Sequence, residues 1–433
     1  MPTEKPIEII SKPLNRFLHL EAASGITLIV FTILALVWAN SPWSGSYYHL
    51  LHTEFKISIG GFSFSHSLQH IVNDAFMCVF FFIIGLELKR EFADGELKNP
   101  KSAALPILAA IGGMIVPALL FLTINDSPQS KGGWGVVMAT DIAFAVGVMA
   151  LLGSRISNEL KIFLLTLAVV DDIGAILVIA IFYSAEIGFA SLGYSLLVVG
   201  IMIFLYRLGV RNLFAFSVLF VISWFFMLDS GIHSTILGVI VGLLAPATPD
   251  YSRDSFAQRL KTLKERFFDA LENDDHHEKT VALKRMSTLS FQSMSMLERL
   301  EIFFHPWNIF YVLPLFALFN AGFEPSANIA ESGLSIAIAV SLVVGKLIGV
   351  TLFSYLGLWL GIANFPKDVG FADILGVGFL AGIGFTMSIF ISTLAFADEI
   401  LIAEAKSGIF IASLFSGVAG YLILRYGRKP VDG

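Results

Sequence analysis

The chain has 433 residues, of which 56% are hydrophobic and only 14% are charged. Soluble domains carry about 45–50% apolar and about 25% charged residues, so this composition indicates an integral membrane protein. A net charge of -6 without a concentrated basic block excludes a nucleic-acid-binding protein, and a single cysteine, Cys78, excludes an internal disulfide framework.

In chain order, the first twenty residues are polar and punctuated by proline, and we expect no cleaved signal peptide there. Crossing the bilayer core takes about 20 mostly apolar residues, and the sequence contains twelve such runs. They lie near 17–40, 70–90, 102–124, 134–153, 159–183, 190–209, 212–228, 231–246, 308–322, 333–358, 373–396 and 404–425. We therefore predict an all-α polytopic membrane protein.

Basic residues predict the orientation of these spans. With both termini in the cytoplasm, 24 of the 28 Lys and Arg residues fall on the inner side. Lys56, Lys131 and Lys406 fall outside, and Lys346 lies within the membrane. The positive-inside rule therefore favours cytoplasmic termini. The predicted organisation is a tail at 1–16, eight spans within 17–246, a cytoplasmic loop at 247–305, four spans within 306–425 and a tail at 426–433.

Two polar segments carry structure of their own. Residues 56–65 (KISIGGFSFS) alternate apolar and polar side chains around two glycines, which predicts a β-hairpin in the first outer loop. Because an isolated hairpin is marginally stable, we expect it to pack on another surface, plausibly a second subunit. In the loop 247–305, apolar residues recur at helical spacing between Leu260 and Leu271. This pattern fits either an amphipathic helix at the membrane surface or a solvated linker.

Four charged side chains fall near the middle of predicted spans: Asp141, Asp171, Asp172 and Lys346. Each costs about 2.5–3.5 kcal/mol to insert at a helix centre. Three carboxylates against one lysine leave a surplus of acid, which a proton or a metal ion must neutralise. The alternative is that these groups are salt bridges that only fix helix packing.

The two adjacent aspartates cannot act as one dyad, because neighbouring helical residues point about 100° apart. One can bind an ion while the other engages Lys346. Asp141 follows Thr140 in a glycine-rich span, where it fits either an ion site or a helix cap. The eleventh span, GVGFLAGIGFTMSIFI, is also interrupted by glycines. Two such spans, one in each half, indicate an ion site where discontinuous helices cross.

A second group of charges lies at the cytoplasmic ends of two spans. Glu87 and Glu91 occur in GLELKREF, and Glu301 and His305 occur in ERLEIFFHPWN. Because histidine titrates near neutral pH, a pH-responsive role is attractive. Solvated residues at the membrane edge, or capping and packing residues, would produce the same pattern.

Several of these segments together resemble the bacterial Na⁺/H⁺ antiporters of the NhaA type, over nearly the whole chain. The segments are FFFIIGLELKRE (80–91), ATDIAFAVGVMALLGSR (139–155), AVVDDIGAILVIAIFY (168–183), GIHSTILGVIVG (231–242), HPWNIFYVLPLFALFNAG (305–322) and AGIGFTMSIFI (381–391). The resemblance implies that Asp172 binds Na⁺ or Li⁺ directly, and that Asp171 exchanges a proton and pairs with Lys346. It also implies that Thr140 and Asp141 lie where the broken fourth and eleventh helices cross at the membrane midplane.

The resemblance has further implications for the rest of the chain. It implies that Glu87, Glu91, Glu301 and His305 mediate activation at alkaline pH, and that the hairpin 56–65 forms a homodimer contact. It implies twelve transmembrane helices in inverted repeats, in the bacterial inner membrane. The loop 247–305 is longer than this family leads us to expect, and it adjoins the residues to which the resemblance assigns the pH response.

The expected activity is electrogenic export of cytoplasmic Na⁺, or Li⁺, in exchange for external H⁺, with no cofactor and no enzymatic reaction. Hard carboxylate and carbonyl oxygens suit an alkali ion. The main alternative is a Na⁺- or H⁺-coupled solute symporter, which would require aromatic or amide groups where this sequence has Val, Ile, Leu and Ala. An intramembrane aspartyl protease would require two facing carboxylates without a competing lysine. In a channel, tight ion binding would slow conduction.

Overall fold

A computed structural model describes residues 22–59, 62–184, 187–210, 212–249, 253–323, 332–364 and 369–427. These residues are mostly α-helical, with one two-stranded sheet. The predicted tail 1–16 lies outside the described residues, as does most of the tail 426–433.

Sixteen helices follow one another along the described part of the chain. The first nine are α1 (Ala22–Ala39), α2 (Ser44–His52), α3 (Leu68–Ala93), α4 (Pro100–Ile124), α5 (Ile142–Ala150), α6 (Asn158–Phe182), α7 (Phe189–Arg207), α8 (Leu213–Asp229) and α9 (Thr235–Leu243). The others are α10 (Arg253–Glu272), α11 (His276–Gln292), α12 (Met296–Asn320), α13 (Gly333–Trp359), α14 (Phe371–Ala381), α15 (Phe385–Ala395) and α16 (Glu399–Tyr426).

The apolar helices confirm a multi-pass membrane protein. Among the described residues, seven helices are long and apolar enough to cross a bilayer, and two bent pairs raise the number to nine. The bent pairs are α1 with α2, at 110°, and α14 with α15, at 43°. Two of the twelve predicted runs contain only nine-residue helices, α5 and α9. A count of twelve spans therefore stays a prediction.

One helix begins earlier than predicted. The ninth span was expected to begin near residue 308, after a loop ending at 305, but α12 begins at Met296. Ser295 and Glu298 form a reciprocal capping box that starts this helix, so its charged first turns are helical. Lys406, which the charge count assigns to the outer side, is buried two turns after the start of α16, and its side of the membrane stays a prediction.

The predicted hairpin is an antiparallel pair, β1 (Glu54–Ile59) and β2 (Phe62–Ser67), in which Glu54 pairs with Ser67 and Ile59 with Phe62. The two glycines of its turn lie outside the described residues. In the long loop, α10 and α11 pack against each other. The helical periodicity seen in the sequence is therefore confirmed as a helix, and its position relative to the membrane stays a prediction.

Glycines allow two pairs of helices to approach closely. A Cβ atom added at Gly349 of α13 would lie 2.2 Å from the carbonyl oxygen of Gly112 on α4. A Cβ atom at Gly238 of α9 would lie 2.2 Å from the carbonyl oxygen of Cys78 on α3. Small residues at such contacts are typical of helix packing in membranes. The first contact matters for the site below, because α13 carries Lys346.

We expect Gly349→Ala to destabilise the protein by about 1–3 kcal/mol, because the added methyl group overlaps a backbone that cannot yield easily. Thermal unfolding of the detergent-purified protein measures this effect. The matched control is Gly200→Ala in α7, where no atom lies within 4 Å of the added Cβ. Because alanine favours helix more than glycine does, the control should be neutral or slightly stabilising. Equal melting temperatures for the two variants would contradict this account of the α4–α13 contact.

Candidate ion-binding site

Lys346 and Asp171 form an ion pair that is sealed from solvent. The lysine Nζ lies 2.6 Å from Asp171 Oδ2, and both side chains are 0% exposed. Thr140 completes the group, because its hydroxyl oxygen accepts a hydrogen bond from Lys346 at 3.0 Å and lies 2.6 Å from the same carboxylate oxygen. Of the two adjacent aspartates, Asp171 is thus the one that engages the lysine.

The path of α13 places the lysine in this position. A π-helical turn, Ser341–Gly345, immediately precedes Lys346, and such turns occur frequently at functional sites. On the facing helix, α4, Gly113 lies beside the lysine stem: a Cβ atom there would be in ordinary contact with Lys346 Cδ, at 3.6 Å, and in a tighter contact with Val350 Cγ2, at 3.1 Å. The close contact between α4 and α13 at their glycines therefore places the Lys346 ammonium group next to Asp171.

Asp141 caps two helices at once. Its Oδ1 accepts a hydrogen bond at 3.0 Å from the Phe144 amide in the first turn of α5, and its Oδ2 accepts one at 2.9 Å from the Thr386 amide at the start of α15. The Thr386 hydroxyl also donates to Oδ2, at 2.5 Å. Backbone amides at helix N-termini carry partial positive charge, which a carboxylate compensates. Asp141 thus combines the capping role considered from the sequence with a place beside the ion pair.

The two interrupted segments lie against each other. Residues 136–141 are non-helical before α5, and residues 382–384 are non-helical between α14 and α15. Hydrogen bonds join them: the Asp141 amide donates to the Ile383 carbonyl at 2.6 Å, and the Ser388 hydroxyl donates to the Val136 carbonyl at 2.7 Å. The backbone polar groups freed by the interruptions are thereby satisfied within protein, as they must be at membrane depth.

Tyr183 ties the helix that carries the aspartates to one of these segments. It follows α6, donates a hydrogen bond to the Gly132 carbonyl at 2.5 Å and accepts one from the Gly135 amide at 3.2 Å.

Asp172 differs from Asp141 and Asp171 because its carboxylate is buried without a bonding partner in the described part of the chain. It is 0% exposed, and neither carboxylate oxygen has a hydrogen-bond partner among the residues that the structure describes. The charges of Asp171, Glu87 and Asp141 act on it electrostatically, and so does the charge of Lys346. A buried carboxylate without partners is costly. Neutralisation by a cation relieves that cost.

The predicted pH-responsive residues meet at the end of the molecule opposite the hairpin. Arg90 of α3 forms an ion pair with Glu301 of α12. Glu87 interacts electrostatically with both of these groups and with Glu91, and His305 interacts with the ion pair. Glu91 also accepts a hydrogen bond from a backbone amide at residue 96. Because Glu87 also interacts with Asp172, this cluster is coupled electrostatically to the buried site.

Some residues of the arrangement escaped the sequence analysis. Arg90 occurs in GLELKREF, but only the acidic residues of that segment were selected. Thr386 and Ser413, whose hydroxyl accepts a hydrogen bond from the Phe385 amide at 3.2 Å, cap the start of α15. The glycines before Phe385 signalled an interrupted helix, and a threonine just after them was the available sign of a cap.

Comparisons with known proteins agree with one another. A family described as Na⁺/H⁺ antiporter 1 matches residues 15–424. The Na(+)/H(+) antiporter NhaA of Rhodopirellula baltica is 46% identical over 422 residues, covering 97% of this chain and 95% of that protein. The protein of the same name from Oleidesulfovibrio alaskensis is 43% identical over 440 residues, covering 98% and 97% respectively. That from Wolinella succinogenes is 44% identical over 420 residues, covering 95% and 92%.

We expect Lys346→Ala to lower the stability of the purified protein by about 3–5 kcal/mol, because it leaves Asp171 charged, buried and unpaired. Adding Asp171→Asn to that variant should recover much of the loss, since the unpaired charge is then gone. Thermal unfolding measures both effects. The matched control is Lys98→Ala, which breaks an exposed pair with Asp94 and should cost about 0–1 kcal/mol. A double variant no more stable than Lys346→Ala would contradict this account.

Proposed function

This chain belongs to the Na⁺/H⁺ antiporter 1 family, and we propose that it exchanges Na⁺ for H⁺ by competition of the two cations for the Asp172 carboxylate. The observation that carries this proposal is that the oxygens of the Asp172 carboxylate have no hydrogen-bond partner among the described residues, whereas the neighbouring Asp171 is paired with Lys346. Lys346 compensates Asp171, and two helix N-termini compensate Asp141. Asp172 is then the surplus acid, which either a proton or a sodium ion can neutralise.

Hard oxygen donors suit Na⁺ at this position. Asp172 would bind the ion directly, and the Asp171 carboxylate and the Thr140 hydroxyl lie beside it as further oxygen ligands. Each occupancy removes the uncompensated charge, which lowers the cost of moving the site across the membrane barrier. No resident cofactor is required. Na⁺/H⁺ exchange follows from the family, and the family match does not favour a coupled solute symporter.

Asp171 is the proposed second proton carrier. When it takes up a proton, its attraction to Lys346 is lost, and when Na⁺ arrives the proton leaves and the ion pair re-forms. If Na⁺ displaces one proton from each aspartate, two protons move for every sodium ion. The exchange would then carry net charge, and the membrane potential would drive Na⁺ out of the cell. Li⁺, with the same charge and hard character, would be a second substrate.

The proposed architecture has twelve transmembrane helices in inverted repeats, with the interrupted α5 and α14–α15 segments crossing at the membrane midplane. It is supported by the hydrogen bonds that join residues 136–141 to Ile383 and to Ser388 of α15. We further propose that both termini are cytoplasmic in a bacterial inner membrane, as the distribution of Lys and Arg favours. The hairpin end then faces outward, and the hairpin 56–65 would join two copies of the chain.

The proposed pH response is located in the cluster of Glu87, Arg90, Glu301 and His305, together with Glu91. On the proposed orientation this cluster faces the cytoplasm. Loss of protons there would change the Arg90–Glu301 pairing and the charge that Glu87 presents to Asp172. Rising cytoplasmic pH would in this way make the carboxylate site available to Na⁺.

We expect Asp172→Asn to abolish Na⁺- and Li⁺-dependent exchange while leaving the fold intact, because an amide can neither release a proton nor compensate a sodium ion. The measurement is the loss of a pH gradient in everted membrane vesicles after addition of Na⁺. Asp126→Asn, at an exposed loop residue, is the matched control and should retain full activity. Added Na⁺ should also release protons from the purified wild-type protein and not from Asp172→Asn. Persistent Na⁺-dependent flux in Asp172→Asn would overturn the site assignment.

We expect Glu301→Gln to shift the pH of half-maximal exchange downward by about 0.5–1 unit, because removing a negative charge lets neighbouring groups lose protons more readily. Exchange rates in everted vesicles across a pH series measure this shift. Glu298→Gln, one turn earlier in the same helix, is the matched control, since Glu298 bonds to Ser295 in the capping box. The control should keep the wild-type pH profile. Coincident profiles for Glu301→Gln and wild type would exclude the cluster as the pH-responsive group.

A further inference from the structure

A large cavity lies at the hairpin end of the molecule. Its volume is about 1130 Å³, and its lining includes Phe390 and Thr393 of α15. Phe390 is one helical turn, about 6 Å along the axis, from Thr386, which is bonded to Asp141. The Phe390 ring packs against Phe81 and Phe316. The cavity wall thus includes a member of an aromatic cluster close to the ion-binding site.

Two histidines and an aspartate form a chain along the wall of this cavity. His66 is the penultimate residue of β2 and His70 lies in the first turn of α3, and their rings stack with centroids 4.5 Å apart and planes inclined by 13°. His70 Nε2 lies 2.8 Å from Asp74 Oδ2. The side chain of His70 is 49% exposed and that of Asp74 is 11% exposed. The chain therefore runs from partly exposed imidazoles to a buried carboxylate.

The rest of the cavity wall is also rich in charged groups. His52 on α2 lies 3.9 Å from Glu399, the first residue of α16. The ionisable side chains that line the cavity from neighbouring elements are Tyr48 and His52 of α2, Asp229 of α8, His233 before α9, and Glu399 and Lys406 of α16. The segment after α12 contributes the uncharged Gly322 and Phe323. Acidic and basic groups thus both line the cavity together with the histidine pair.

We propose that His66, His70 and Asp74 form a proton-binding relay that takes up H⁺ from the solution at the hairpin end and delivers it into this cavity. The proposal rests on the exchange proposed above, in which H⁺ is a substrate. It adds a proton-binding site separate from the aspartates at the membrane centre.

Proton and charge balance are simple at each step. A proton that binds Nδ1 of a neutral His70 produces imidazolium, whose Nε2 lies 2.8 Å from Asp74 Oδ2. Transfer of that proton gives neutral imidazole and neutral carboxylic acid, and release from the acid into the cavity restores the carboxylate. His66 supplies a second imidazole at the entrance. Its pKa is lowered mainly by burial and, to a smaller extent, by the nearby charge of His70. Two stacked imidazolium ions repel each other, so the pair holds one proton and passes it on.

The test uses right-side-out membrane vesicles loaded with Na⁺, with internal pH fixed and external pH varied. Removing the relay does not change the affinity of Asp172 for H⁺, but delivery becomes limiting when external protons are scarce. For His66→Gln combined with His70→Gln we expect the external pH of half-maximal Na⁺ efflux to fall by about 0.5–1 unit, equivalent to roughly 3- to 10-fold more H⁺. The maximal rate at acidic external pH should be retained. In everted vesicles, the dependence on cytoplasmic-side pH should not change.

The matched control is His49→Gln, an exposed histidine of α2 that does not line the cavity, and it should keep the wild-type external profile. A double variant with that same profile would overturn the relay. If the double variant does not yield stable protein, His66→Gln alone decides, since it leaves the His70–Asp74 pair in place: a smaller acid shift supports the relay, and no shift overturns it. Failure of the exchange mechanism itself would be distinct, because Asp172→Asn would then remain active at every external pH.

Discussion

The ion pair between Lys346 and Asp171 is the interaction on which the rest of the candidate site depends. Both groups are completely buried, and either one alone would be a charge stranded in a medium that solvates it poorly. One lysine compensates one carboxylate, so the pairing decides which of two neighbouring aspartates is left over. Asp172 remains uncompensated because neighbouring residues of a helix point about 100° apart, so the two aspartates of α6 cannot both face Lys346 of α13.

Helix ends provide the second constraint. Asp141 receives amides from the first turns of α5 and α15, and the Thr140 hydroxyl lies 2.9 Å from the Ala381 carbonyl at the end of α14. The dipoles of the interrupted helices are thus balanced by short side chains beside the ion pair. A displacement of α5 relative to α14 and α15 would change these contacts together, which couples helix position to the charge balance at Asp171 and Asp172.

The ionisable groups at the two ends of the molecule differ in character. At one end, the Arg90–Glu301 pair and Glu87 are linked electrostatically to the buried aspartates. At the hairpin end, the histidine pair and Asp74 line a cavity whose wall also includes Phe390. The two ends therefore present different ionisable groups: an Arg–Glu pair with further carboxylates at one end, and histidines with a carboxylate at the other.

The sequence by itself determined the membrane class, the family, the hairpin and the charged residues of the membrane interior, because burying a charge is so costly that Asp141, Asp171, Asp172 and Lys346 stand out in any apolar run. Helix boundaries were less accessible. The start of α12 at Met296 was missed, since charged residues that pair across helices look the same in a sequence as charged residues in solvent. The charge pattern left open which aspartate Lys346 engages, and the family resemblance pointed to Asp171, which is the partner in the structure. Only the tertiary structure decided that Asp141 caps two helices and that Arg90 and His70 lie beside acidic partners. These outcomes depend on the orientation and close approach of helices distant in the chain, which glycine contacts such as Gly112–Gly349 set and local sequence patterns do not encode.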